Sequence, residues 1–82
     1  MNKSAIEEKI RAELGIILAI PPRELLADKP LIEYGLDSVR AMELVVGVEE
    51  IFEVEIEDIE IAVLETLADI VGLVKSKVIA GA

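Results

Sequence analysis

Apolar residues recur along most of this chain at helical intervals. Ile6, Ile10, Leu14 and Ile17 follow one another at spacings of four, four and three. On a helix of 3.6 residues per turn they fall within about 80° of arc. They predict a first helix from about Ser4 to Ala19, opened by Ser4-Ala5-Ile6-Glu7 in the form of a capping box and mildly weakened by Gly15. Pro21 cannot continue the hydrogen-bond ladder, and Pro22 suits the start of a short turn through Arg23-Glu24-Leu25-Leu26. From Ile20 to Leu36 the periodicity is lost, with Asp28-Lys29-Pro30 as a further break. So long a connection in so small a chain is packed or functional. Leu25, Leu26, Leu31, Ile32 and Tyr34 are apolar enough to pin it across a bundle as an ordered crossing.

The second helix is expected from Ser38 to about Glu53. Ala41, Leu44, Val45, Val48, Ile51 and Phe52 occupy one arc of about 120°, the width of a core-facing stripe. Glu43, Glu49, Glu50 and Glu53 lie opposite, and among them stand Val39, Met42 and Val46 at i, i+3 and i+7. Three apolar side chains on the wet face serve no folding purpose. They are either ordinary scattered surface hydrophobes or an apolar strip with a charged rim, offered to a partner.

The stretch Val54 to Ala62 begins in strict alternation, as a strand would. A lone strand has nothing to pair with, so a turn and a short helix from about Glu57 to Val63 fit better, with Ile56, Ile59 and Val63 pointing inward. Its carboxylates lack the spacing of a calcium loop, and weak adventitious cation binding is the most they support; no metal site is expected. Thr66 and Asp69 are placed as an N-cap and the acidic residue three positions on. Leu67, Ile70, Val71, Val74 and Val78 then form the apolar face of a last helix from Leu67 to about Ile79, with Lys75 and Lys77 in its final turns and Gly81-Ala82 fraying. The expectation is an all-α bundle of three main helices and one short third helix, with a long ordered loop between the first two, in a single domain over residues 1–82.

Composition narrows the chemistry. Hydrophobic residues make up 54% of the chain but aromatics only 2%, so the core is aliphatic. There is no Cys and no His, which removes disulfides, a cysteine nucleophile, the usual general base and the commonest metal ligand. An enzyme would have only carboxylates to work with, and none sits in a recognisable pair. Any thiol the protein uses must come with a prosthetic group. The net charge of −9 repels nucleic acid and anionic membranes and favours basic partners, although solubility alone would account for it. Met1-Asn2-Lys3-Ser4 has no signal-peptide pattern and no apolar run approaches membrane-spanning length, so a soluble cytoplasmic protein, monomeric and not inserted in a membrane, is expected.

The chemistry concentrates in Gly35-Leu36-Asp37-Ser38-Val39, a small-residue turn running directly into the second helix. A hydroxyl on the first residue of a helix is exposed, and an anion attached to it feels free backbone N–H groups and the positive dipole end. Ser38 is on this reading a covalent attachment point. The competing reading is that Asp37 or Ser38 is only a helix N-cap, a position both residue types favour. Because the Val39, Met42, Val46 strip starts beside Ser38, an enzyme docked on it would reach the hydroxyl.

Leu36-Asp37-Ser38-Val39, continued by Met42-Glu43-Leu44 and by Glu49-Glu50-Ile51-Phe52-Glu53-Val54-Glu55-Ile56, resembles the acyl carrier protein family, including the peptidyl and aryl carrier domains of modular synthases. The resemblance extends back to Ile6-Glu7-Glu8-Lys9-Ile10 and forward to the last helix. It implies a right-handed four-helix fold in which helices one, two and four pack together and the third is short and mobile. It also implies 4′-phosphopantetheine on Ser38, transferred from coenzyme A by a Mg²⁺-dependent phosphopantetheinyl transferase and carrying acyl groups as thioesters. By matching position, Val39, Met42 and Val46 would be apolar partner contacts, and Asp37, Glu43, Glu49 and Glu50 acidic ones, read by loading, condensing and tailoring enzymes with basic docking patches. Arg40 departs from the acidic residue common there in fatty-acid carriers and is more familiar from aminoacyl, aryl or polyketide carriers. Gly47 is also unusual, since it weakens the helix by up to ~1 kcal/mol against Ala; it would let another segment or an acyl chain approach closely. The alternatives are an aminoacyl, peptidyl or aryl carrier, or an acidic helical adaptor with no prosthetic group and Ser38 a plain cap or phosphorylation site.

Overall fold

The computed structural model describes residues 3–80. Four α-helices appear: α1 (Lys3–Leu18), α2 (Ser38–Phe52), α3 (Asp58–Ile61) and α4 (Leu67–Ala80). Two 3₁₀ turns, Pro22–Glu24 and Leu31–Tyr34, stand between α1 and α2, and no strand occurs among the described residues. The all-helical class, the three main helices and the short third one are as the periodicity predicts. The helix α1 packs against both α2 and α4 and is the centre of the bundle.

Ile6, Ile10 and Leu14 of α1 are completely buried, and Leu67, Ile70, Val71 and Val74 of α4 meet them from the other side. From α2, Leu44, Val45 and Val48 complete the core. Each such side chain contributes roughly 1.5–3 kcal/mol by leaving water. Of the six residues assigned to the buried stripe of α2, Ala41 and Phe52 are half-buried and Ile51 is exposed. Ile51 lies at the margin of the arc, where the stripe turns out of the bundle.

The ends of the elements show which capping signals operate. The helix α1 begins at Lys3, so Ser4 sits inside its first turn and does not cap it; the preceding residue lies outside the described ones, as do Gly81 and Ala82. At the other end the chain leaves the helix through Ala19 in the left-handed conformation (φ 56°), and Ile20 N–H closes back on Gly15 C=O at 3.0 Å. A Cβ at Gly15 would stand 2.9 Å from Ile20 O and 3.0 Å from the Pro22 ring. That glycine is therefore the clearance that lets the diproline fold back, more than a weakness in the helix.

Around α3, two assignments reverse. Ile56 is buried as expected, but Ile59 and Val63 are 75% and 71% exposed. Glu57 and Glu60 form a reciprocal capping box that sets the helix at Asp58, and Glu60 also pairs with Lys77 of α4 at 2.9 Å. This pins the Glu60–Ile61 side against α4 and turns the i, i+4 pair Ile59 and Val63 to solvent.

At the start of α4 the predicted cap forms in both directions. Asp69 N–H donates to Thr66 Oγ1 at 3.1 Å, and Asp69 Oδ2 accepts from Thr66 N–H at 3.1 Å and from Glu65 N–H at 3.0 Å. Those backbone donors hold the Asp69 carboxyl below the ordinary range. A depressed folded-state pKa stabilises the fold above the ordinary carboxylate range, and this is lost as pH falls through the folded value. Asp69→Asn is accordingly expected to lower Tm by about 2–4 °C at pH 7, after allowance for solvent screening. In thermal melts that deficit should close as pH falls below the ordinary carboxylate range and through the lowered folded-state value.

Candidate functional site at the start of the second helix

The loop from Ile20 to Leu36 is an ordered crossing, and it sets the position of Ser38. Leu25 and Leu31 are buried, at 1% and 2% exposure. Arg11 of α1, paired with Glu7, donates through Nη1 to the carbonyls of Pro22 and Leu25. Tyr34 OH accepts from Leu26 N–H at 2.8 Å, and Lys29 stands over its ring at 4.7 Å. Two backbone bonds strap the loop to the head of α4, Leu31 N–H to Glu65 C=O at 2.8 Å and Ala68 N–H to Ala27 C=O at 2.9 Å. Leu26 and Ile32, assigned to the pinning set, are instead exposed. Gly35 then turns the chain at φ 96°, a left-handed conformation open to glycine at no steric cost, and α2 begins three residues later.

Asp37 is the N-cap. Its extended backbone leads into the helix, and its Oδ1 accepts from Arg40 N–H at 2.8 Å. That backbone donor and the Arg40 charge hold the Asp37 carboxyl below its ordinary range. Arg40 Nη1 lies 3.1 Å from Asp37 Oδ2 and 3.4 Å from Gly35 O. The guanidinium is thus folded back over the cap, where it offsets the carboxylate beside the serine and does not project a positive charge along the helix.

Ser38 is the first residue of α2 and is exposed. Because Asp37 supplies the capping oxygen, the Ser38 hydroxyl is left without a hydrogen bond among the described residues. Neither condition that would bar attachment, burial of this oxygen or a mid-helix position, is met.

Val39, Met42 and Val46 are exposed at 69%, 54% and 49%. With Glu43, Glu50, Gly47 and Glu13 of α1 they line one open groove of about 620 Å³. Glu49 does not join them: its Oε2 turns the other way and accepts from Ile56 N–H at 2.9 Å, bracing the link from α2 to α3. Asp37 is likewise occupied at the cap. Glu13 had no special mark in the sequence; the only hint was the oddity of Gly47, over which its side chain lies.

A family model described as the phosphopantetheine attachment site matches residues 6–74. An acyl carrier protein of Akkermansia muciniphila is 36% identical over 76 residues, spanning 92% of this chain and 95% of that protein. One from Thermosynechococcus vestitus is 35% identical over 81 residues, 98% of this chain and all of its own length. The chain belongs to the acyl carrier protein family. Another acyl carrier protein, from Campylobacter curvus, is 35% identical over 72 residues. As an acyl carrier protein the chain is a carrier and not an enzyme, and its cofactor is covalently bound 4′-phosphopantetheine, which supplies the thiol that the sequence lacks.

The residues present fit that group. A phosphodiester there needs a free hydroxyl and room for a long arm, and it gains from a helix N-terminus. Ser38 offers the unbonded oxygen, the head of α2 offers positive potential, and exposure provides the room. No helix among the described residues is long and apolar enough to cross a membrane.

Proposed function

We propose that this chain is a stand-alone, single-domain acyl carrier protein that holds acyl intermediates as thioesters on a 4′-phosphopantetheine arm at Ser38. It would work in the cytoplasm and carry those intermediates between enzymes of fatty-acid, polyketide or related biosynthesis. The observation that carries the assignment to Ser38 is the division of labour at the head of α2, where Asp37 caps the helix and the serine hydroxyl remains exposed and unbonded.

The partner face on this reading is the strip Val39, Met42 and Val46 with Glu43 and Glu50 at its edge; Asp37 and Glu49 serve as cap and brace and are not part of the groove lining. Its partners are a phosphopantetheinyl transferase and the loading, condensing and tailoring enzymes that share the arm. The charge favours fast, salt-sensitive and weak encounters, as a shuttle requires. Arg40 raised the alternative of an aminoacyl or aryl carrier, but its charge is engaged with Asp37 and Gly35, so it gives that reading no particular support.

The test is incubation of the purified apo protein with coenzyme A, Mg²⁺ and a broad-specificity transferase. Intact mass spectrometry should show a gain of one phosphopantetheine, and fragmentation should place it on Ser38. A Ser38→Ala variant should show no gain. An unchanged wild-type mass, or modification elsewhere, would overturn the assignment.

A further inference from the structure

Gly47 lies between Glu43 and Glu50 on α2, and the three fall within about 60° of arc at i, i+4 and i+7. A Cβ on Gly47 would stand 2.5 Å from Glu13 Oε1 and 2.9 Å from Glu13 Cδ. The carboxylate of Glu13, on α1, therefore occupies the space that a side chain at position 47 would fill. Three acidic residues from two helices, Glu43, Glu13 and Glu50, thus line the groove whose apolar wall is Val39, Met42 and Val46. None of the three is in an ion pair or side-chain hydrogen bond among the described residues. As Gly15 makes room for the diproline in α1, Gly47 makes room for a charge in α2.

We propose that Glu13 is a specificity-determining part of the docking groove, and that Gly47 is kept small so that an arginine of the phosphopantetheinyl transferase can bridge α1 and α2 there. This rests on the carrier reading above. The occupant follows from the groove's chemistry. A guanidinium is planar, always charged and able to bond two carboxylates at once, and its methylene stem suits the apolar wall. A lysine presents a compact, strongly hydrated charge without the planar fork that spans two carboxylates in a fixed geometry.

The experiment is steady-state loading of the full chain by the transferase, with coenzyme A saturating and carrier concentration varied. Glu13→Lys is expected to raise KM for the carrier about tenfold with kcat nearly unchanged, and Glu13→Gln about threefold. Glu8→Lys, the same charge change at an exposed position of α1 about 140° away around the helix, is the control for general steering. Gly47→Ala is expected to raise Tm, since alanine is the better helix former, yet to raise KM as well by displacing the Glu13 carboxylate. A more stable carrier that docks less well is a signature that packing alone would not produce. If KM for Glu13→Lys matches that of Glu8→Lys, or Gly47→Ala docks as wild type, the proposal falls. If the wild type is not loaded at all, it is the carrier assignment that fails.

Discussion

Replacing Met42 with aspartate is expected to cut kcat/KM for loading by the transferase about 10- to 100-fold while leaving the helical circular dichroism intact. Met42 is 54% exposed at the centre of the strip, between Val39 and Val46, so the fold does not depend on it. A buried apolar anchor in an interface is commonly worth 1–3 kcal/mol, about that range in rate. The added carboxylate strengthens the field that draws a basic partner, so any loss must come from the apolar contact and not from steering. Measured over a range of ionic strength, the variant should keep a salt dependence at least as steep as that of the wild type. Collapse of the dichroism signal would show instead that Met42 supports the bundle.

Leu25→Ala, in a loop with no regular helix around it, is expected to destabilise the protein by about 2–5 kcal/mol, as a core leucine would. In a domain of this size each kcal/mol shifts Tm by about 4–8 °C, so the melting temperature should fall by at least 10 °C or so. Leu25 is 1% exposed and its carbonyl accepts from Arg11, whereas its neighbour Leu26 is 58% exposed and bonds through its backbone alone. Leu26→Ala is therefore expected to stay within about 0.5 kcal/mol of wild type. Differential scanning calorimetry of the pair separates a packed crossing from a flexible connection. Near-equal melting temperatures would mean that the loop contributes little to the fold and does not hold the serine in place.

The main helices were legible because each carries an apolar stripe long enough to define its own phase. Ile6, Ile10 and Leu14 needed no knowledge of their neighbours to be placed inside. The errors fall where phase is set by something distant. Ile59 and Val63 face solvent because Glu60 is held by Lys77, seventeen positions on, and no local pattern announces that pairing. Leu26 and Leu25 are identical in the sequence, and the 3₁₀ turn at Pro22–Glu24 with the Arg11 and Tyr34 contacts sets Leu25 inward and Leu26 outward. At the site, the ambiguity between Asp37 and Ser38 as cap was real in the sequence, since both suit the position. Geometry divides them, with the carboxylate on Arg40 N–H and the hydroxyl free. Glu49 and Glu50 are adjacent glutamates, yet one braces the α2–α3 link and the other edges the groove.

The two backbone bonds that strap Ala27 to Ala68 and Leu31 to Glu65 join parts of the chain 41 and 34 residues apart. A nascent polypeptide that has not yet emerged past position 68 lacks the partners for that strap, so its serine rests on an unset loop. On the carrier reading proposed above, decoration of Ser38 would then follow the emergence of the head of α4, once the loop before the serine is set.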